Sequence, residues 1–556
     1  MKSTFHGLET ARRAMMTQQY ALHTTGHNIA NANTPGYTRQ RVNFTQTEPY
    51  PNVGMNRPML PGHLGTGVKA GSIQRVREHF LDVQFRNENN KAGYYGAKYE
   101  SLTRMEGILN EPSEQGLASL IDQFWGAMQD LNGDADDSGA RAVARRRAEE
   151  IANTFQYLNS SLTTVQDDYK AEIDVTIKAA NSLLEQLNNV NKQIRSAEPH
   201  GYVPNDLYDE QDRILDQLSQ IVNIETKREK SSGQPNNVAE GAVSVFMKLP
   251  NGEKLQLIDG TNGEALKKFN EEMDYSEGAF NELTFVDING NGTDDESIKF
   301  DKLARGELKA LIEAFGYISA DGSTKGTYPE MLTNLNEMAL QFATEMNNIH
   351  SIGFTLNAVG EPSELGGAFF EFDPANAAAT LKVHSDIMGN LNKITAAGVN
   401  KDALTTDARA EYQTLMKEFP KNYERIRELL SDDGSYRNPD IPKSFSGDGS
   451  NALLMSNAKD TLMNFNGQTA TIKSFYQSVI GEMAVKTQEA GRMLGSSESL
   501  RGNVEFQRQS VSNVSLDEEM TMMIQFQHAY NAAARNITMV DEMLDRIING
   551  MGVVGR

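Results

Sequence analysis

Cysteine is absent from all 556 residues. That excludes thiolate metal sites, disulfide frameworks and cysteine nucleophiles together, and it is compatible with export in an unfolded state, where thiols would be a hazard. Basic character is also missing: 53 Lys and Arg against 75 Asp and Glu give a net charge of −22. Nucleic-acid binding and adhesion to an anionic bilayer both need a basic face, so neither partner is expected. No apolar run approaches the ~18 residues of a membrane span, and residues 1–20 lack the hydrophobic stretch and small-residue cleavage site of a secretory signal. With 38% hydrophobic residues and a mean hydropathy of −0.52, the chain suits elongated modules with modest cores. Its length allows several domains.

What is present is heptad patterning, strongest at the C-terminal end. Met523, Phe526, Tyr530, Ala533, Ile537, Val540, Leu544 and Ile547 alternate steps of three and four, the signature of a helix-on-helix seam. Ser515 with Glu518 reads as a capping box, and Asn549-Gly550 as the stop. A second, weaker seam runs over residues 4–32 through Leu8, Ala11, Met15, Gln18, Leu22, Thr25 and Ile29. Alone that helix is marginal; packed on its C-terminal counterpart it is not. Pro35 and Gly36 end it.

Between the ends the period changes several times. Residues 41–75, with Val42, Phe44, Val68 and Ile73, read as extended segments and turns. Helical patterning covers 76–131, with breaks expected at Gly93 and at Glu111-Pro112. Residues 140–194 keep heptad spacing through Ala144, Ala148, Ile151, Phe155, Leu158, Leu162, Val165 and Tyr169. A stutter at Ile173 and Ile177 marks local unwinding. From 221 the period is two, with Val243, Val245, Met247, Leu255, Leu257, Leu283 and Phe285, a β-rich pattern. Residues 306–312 and 329–350 return to helix. Residues 372–450 are ambiguous, with a charged helical piece near 412–430, and helix resumes from 447.

The run NIANANTPGYTRQR at 28–41 resembles the N-terminal signature of bacterial flagellar axial proteins, the family of rod, hook and hook-associated subunits. LGTGV at 64–68 and Ile73-Gln74-Arg75 resemble the segment that follows, with Glu78 where the family has Asp. LDEEM at 516–520, IQFQHAY at 524–530 and VDEML at 540–544 are similar to its C-terminal signature. PNDLYDEQDRILDQLS at 204–219 and GGAFF at 366–370 resemble its hook-associated branch. The resemblance implies a mainly α, elongated multidomain axial protein with paired N- and C-terminal coiled-coil helices, a helical body and an outer β-rich domain. The expected domains are 1–75 with 505–556 (inner tube), 76–220 with 447–504 (helical body), and 221–446 (inserted outer region, β-rich at 221–305).

By the same resemblance the chain is a secreted structural subunit at the junction of hook and filament, and not an enzyme. It would leave through the type III export channel of the flagellum without a cleaved signal peptide. Its implied partners are its own copies, the hook protein, the next hook-associated protein toward the filament, and an export chaperone on the C-terminal helix. The assembly interface is assigned to Met523, Phe526, Tyr530, Ile537, Val540 and Leu544, with Leu8, Met15, Leu22 and Ile29 opposite. The loop of Asn31, Pro35, Gly36, Tyr37 and Arg39 is assigned the link between shells. Against this stands the plainer reading that the two seams satisfy each other inside one monomer. Another axial subunit (hook or distal rod) is an alternative within the family. A secreted enzyme with a catalytic insertion at 221–445 and a cytoplasmic coiled-coil scaffold are alternatives outside it.

No cofactor or metal is expected. The segment beginning at Asp287, Asn289 and Asn291 opens like an EF-hand loop, but Ile298 stands where a bidentate Glu is needed. His23 and His27 are four apart on a helix yet have no third ligand in view. Gly62, Gly65, Gly67 and Gly71 do not form a dinucleotide fingerprint, and Arg145, Arg146 and Arg147 read as a solvated helix face.

Overall fold

The computed structural model describes residues 4–550, apart from 52–54, 56–61, 112, 114–115, 262–265, 277, 289–296, 357–361, 419, 432–434 and 439. Pro112 and most of the loop after Asp287 therefore lie outside the described residues. Helix α1 (Thr4–Ala30) leads through a turn into an antiparallel ribbon, β1 (Gln40–Gln46) and β2 (Val68–Arg75). The ribbon lies along α1: Thr17 Oγ1 donates to the Val68 carbonyl at 3.2 Å. Then come α2 (His79–Leu109), α3 (Leu117–Gly133), α4 (Ser138–Ala197) and α5 (Asn205–Ile221).

Gly93 does not interrupt α2, contrary to expectation. A Cβ there would lie 2.5 Å from the Gln220 carbonyl oxygen, so this glycine lets α2 approach α5 closely, which offsets its low helix propensity.

The 60 residues of α4 make a spine about 90 Å long at ~1.5 Å per residue. Asp137 caps it, accepting from the amides of Gly139 and Ala140. The heptad positions from Ala144 to Leu162 are buried, and so are Tyr169, Ile173, Ile177, Ala180, Leu184 and Leu187, so the stutter passes without a break. Three further layers use that face. The sheet of β3 (Ile224–Glu229), β4 (Ala242–Lys248) and β5 (Lys254–Ile258) packs on its C-terminal half. Strands β6 (Lys267–Phe269), β7 (Asp274–Ser276), β8 (Ala279–Asp287) and β9 (Ser297–Lys299) follow. Helices α6 (Glu307–Phe315) and α7 (Thr327–Ser351) complete the cover.

The segment expected to be β-rich, 221–305, carries strands β3 to β9. Its buried residues, among them Val243, Val245, Leu283 and Phe285, share one continuous core with Phe155, Leu184 and Phe342. Two asparagines of α4 dock the strands by pairing with backbone. Asn181 donates to the Phe269 carbonyl and accepts from its amide, both at 2.9 Å; Asn191 does the same with Val243 at 2.9 and 3.1 Å.

The stretch left ambiguous by sequence holds two short helices, α8 (Ala377–Thr380) and α9 (Ser385–Gly389), and a small satellite of α10 (Thr406–Leu415) and α11 (Tyr423–Ser431). That satellite has its own core of Leu404, Ala408, Tyr412, Leu415, Ile426, Leu429 and Leu430 beside Ile352. After α12 (Ser450–Ser456), α13 (Ile472–Ser512) runs back along α2, and α14 (Leu516–Gly550) returns along α1.

Candidate assembly surface and joint

The terminal helices pair antiparallel and in register. A Cβ on Gly7 would sit 3.7 Å from Val540 Cγ2, and Asn28 Nδ2 lies 3.1 Å from Glu519 Oε2, an equal advance of 21 residues on each helix. The seam residues Met523, Phe526, Tyr530, Ile537, Val540 and Leu544 are half-buried along this pair, as are Leu8, Met15, Leu22 and Ile29. Phe526 also packs edge-on against Phe44 of the ribbon, 5.9 Å between centroids. Apart from the exposed Ile547, both sequence seams thus lie along an intramolecular interface.

The apolar residues left open lie on other faces. On α14 they form two rows at four-residue spacing, Leu516, Met520 and Ile524, then Met539, Met543 and Ile547, with Ile548 beside the second. On α1 they are Phe5, Met16 and Tyr20, the last 55% exposed. Apart from Ile547, the last position of the C-terminal seam, sequence reading passes over these residues because a single seam accounts for one face only.

The turn after α1 is built as its residues require. Tyr37 N donates to the Thr34 carbonyl at 3.2 Å, and Gly36 takes φ +81°, the geometry of a type II turn with proline second and glycine third. Asn31 holds the His27 carbonyl and its Oδ1 accepts from Thr34. Pro35 and Gly36 are exposed. Tyr37 OH donates to Asn28 Oδ1 at 2.8 Å; the same oxygen accepts from Gln40 N at 3.0 Å, and Asn28 Nδ2 donates to Gln40 O at 2.8 Å. With Glu519, the fully buried Asn28 amide uses all its capacity. Burial, with Asp206, Asp209 and Glu519 nearby, pushes the Tyr37 hydroxyl well above its ordinary pKa, so it serves as a donor. Arg39 reaches Glu518 and Glu519, each at 2.8 Å. Glu518, read as half of a capping box, thus directs its carboxylate to Arg39.

Behind this turn lies a buried ionic cluster. Four guanidiniums converge on Asp212 of α5: Arg75 at 2.9 Å, Arg77 at 3.4 Å, Arg86 at 3.0 Å and Arg228 at 3.1 Å. Burial pushes the Asp212 carboxyl up, but Arg77, Arg75, Arg228 and Arg86 together hold it well below the usual carboxylate range. Arg75 also meets Asp209 at 2.8 Å and Glu240 at 2.5 Å. For Asp209 burial wins over Arg75 and Thr38, and its pKa is raised. Arg77 forks onto Asp82 at 2.8 and 2.9 Å. Arg508, near the end of α13, reaches Asp216 at 2.5 Å and Asp82 at 3.5 Å and lies over the Phe85 ring. The three α5 acids, at i, i+3 and i+7, stand inside the 204–219 block, and Arg75 stands in its motif, yet sequence reasoning gives them no role. The legible signal is acids on the buried face of an amphipathic helix.

Among the described residues no group of His, Asp and Glu could hold a metal ion. His23 is exposed, and His27 instead faces Asp206 at 3.3 Å. Arg145, Arg146 and Arg147 pair with Glu149 and Glu150 on the helix surface. No helix among the described residues is long and apolar enough to cross a membrane.

Comparison with known proteins bears on the whole chain. The family described as flagellar hook-associated protein FlgK helical domain matches residues 102–370. The flagella basal body rod protein family matches 8–38, and the C-terminal family of basal body rod FlgEFG proteins matches 507–550, so the helices paired here are the segments shared with rod subunits. Flagellar hook-associated protein 1 of Bacillus subtilis is 40% identical over the full length of both chains. That of Escherichia coli is 24% identical, covering 98% of this chain and 99% of its own. The solved flagellar hook junction protein FlgK of Burkholderia pseudomallei matches in fold with a TM-score of 0.55 at 15% identity, covering 77% of this chain and all of that one. The chain belongs to the flagellar hook-associated protein 1 family.

Proposed function

We infer that this chain is a structural subunit of the bacterial flagellum, forming the junction between hook and filament. The full-length likeness to hook-associated protein 1 carries this reading. Its work is interface chemistry: copies associate through the terminal helices, by head-to-tail contacts that build a helical array. The hook protein binds on one side and the next hook-associated protein on the other. The chain reaches that place by flagellar export, with an export chaperone first covering the C-terminal helix in a helix-in-groove mode.

The residues of the two seams, from Leu8 to Ile29 and from Met523 to Leu544, act in this scheme by holding each subunit's own pair together. Contacts between copies fall to the open rows, Met520 and Ile524, Met539 and Met543, with Phe5, Met16 and Tyr20. Exposed apolar rows of this size are surfaces awaiting a partner. Methionine suits faces that must adapt to more than one neighbour, as a junction must. The turn from Asn31 to Arg39 links this inner pair to the body. No catalytic role is assigned to any residue. The inference is tested by electron microscopy of cells lacking this chain: hooks should end bare, and the intact gene should restore filaments. Filaments of normal number on hooks without it would overturn the reading.

A further inference from the structure

Helix α13 is anchored at its start and weakly held beyond. Thr471 caps it, accepting from Ser474 N, and Ile472, Phe475, Tyr476 and Met483 are buried in the body. Phe475 also stacks on Phe465, 4.3 Å between ring centroids. From 484 to the end of the helix the buried residues are Thr487, Ala490, Ser497 and Ser512. None is a large apolar side chain, while Val485, Leu500 and Phe506 stand exposed, the last by 74%. The helix beneath is held from more sides: α2 packs against α5 and α6 as well as α13, and it buries Leu81, Ala92, Leu102 and Met105. Composition weakens α13 further. Residues 491–502 include three glycines and three serines, all poorer helix formers than alanine. Gly491 has a packing reason, since a Cβ there would lie 2.9 Å from the Tyr99 ring. Gly495 and Gly502 have none: a Cβ at either would meet nothing within 4 Å.

We propose that residues 484–512 of α13 are a strap that opens from α2 as one unit while the body stays folded. Met483, the last large apolar side chain that α13 buries, is its hinge end. Its far end is buckled by Arg508, which meets Asp216 of α5 at 2.5 Å and Asp82 at 3.5 Å and lies over the Phe85 ring. Between hinge and buckle, Arg501 adds a hydrogen bond to Asn89 Oδ1 at 3.2 Å. Most of a helix's stability in a folded protein comes from burying an apolar face, and this stretch has little to bury. Segments with few buried apolar contacts open locally, in contiguous units, well below the free energy of global unfolding. Gly495 and Gly502 make room for no neighbour within the chain, so their contribution is ease of opening. An open strap bares the face of α2 that carries Phe85, Asn89 and Tyr99. The device acts within one chain and does not depend on the junction role.

Hydrogen exchange on the isolated full chain tests this, with α2 as the internal reference. Amides across 484–512 should share one level of protection and exchange about 100-fold faster than those of residues 86–105. Gly495→Ala with Gly502→Ala should slow exchange throughout 484–512 by about 30-fold, at about fivefold for each glycine removed from a helix interior. Exchange in α2 and α4 should not change. Arg508→Gln should move the same segment the other way, faster than the parent, again with α4 unaltered. Both variants keep every buried apolar side chain, so the body folds in each. Protection of 484–512 equal to that of α2 in the parent would overturn the proposal. So would protection that falls off residue by residue toward Ser512, which is end fraying, or an unchanged rate in either variant.

Discussion

Asn28 and Glu519, 491 positions apart in the chain, meet with Nδ2 at 3.1 Å from a carboxylate oxygen. The Glu519 side chain is fully buried, and Arg39 meets its other oxygen at 2.8 Å. One amide thus ties the end of α1 to the start of α14 and to the turn that follows α1. A signature that spans both ends of the sequence is held together at a single point.

Replacing that amide should loosen both ends at once. Asn28→Ala removes partners from Tyr37, Gln40 and Glu519 and should cost about 2–3 kcal/mol of local stability, given ~1 kcal/mol per net hydrogen bond and more for a stranded buried group. Asn28→Asp should cost more, because it sets a second carboxylate against Glu519. Hydrogen exchange should report the loss in both 20–40 and 515–530. Loosening at one end alone would show that the two are not coupled through this residue.

His350 makes the body acid-sensitive. Its Nδ1 is 2.8 Å from the Gly367 carbonyl and its Nε2 accepts from Thr395 N at 3.1 Å, so the ring is neutral. Burial lowers its pKa from 6.5 to about 4. Unfolded chains therefore bind a proton that the folded chain refuses between those values. Stability should be full above about pH 6.5 and fall as pH drops toward 4, by about 3 kcal/mol in total at ~1.4 kcal/mol per pKa unit. Comparing the pH dependence of denaturant midpoints in the parent and in His350→Gln isolates this term; equal slopes would remove it.

Two helical glycines should respond in opposite directions. Gly93→Ala drives a methyl against the Gln220 carbonyl at 2.5 Å and should destabilise by about 1–3 kcal/mol. Gly126 lies on α3, where a Cβ would meet nothing within 4 Å, so Gly126→Ala should gain about 0.5–1 kcal/mol. Denaturant unfolding of the body reads both.

Periodicity made the long elements legible. The 60-residue spine and the terminal pair follow from apolar spacing, because one continuous face had to be buried. Gly93 misled, since propensity counts a glycine's cost and cannot see Gln220. The docking of the β-rich strands was hidden for a similar reason. Asn181 and Asn191 bind strand backbone, and a polar residue on a helix gives no sign of that in sequence. The ionic joint draws Arg75, Arg86, Asp212, Arg228 and Arg508 from distant segments, and a chain with many acids conceals which of them are buried. The open apolar rows were hardest to read, because two seams facing each other in one chain look the same in sequence as seams facing a neighbour.

The most direct test separates those two faces. Met520→Glu with Ile524→Glu changes an open row; Phe526→Ala with Tyr530→Ala changes the buried seam. Each pair is placed in cells lacking the native chain, with export measured from the medium and helix content from the purified protein. The open-row pair should be exported, keep parental helix content and leave hooks without filaments, whereas the seam pair should lose stability of the terminal helices first. Normal filaments on hooks carrying Met520→Glu and Ile524→Glu would contradict the account.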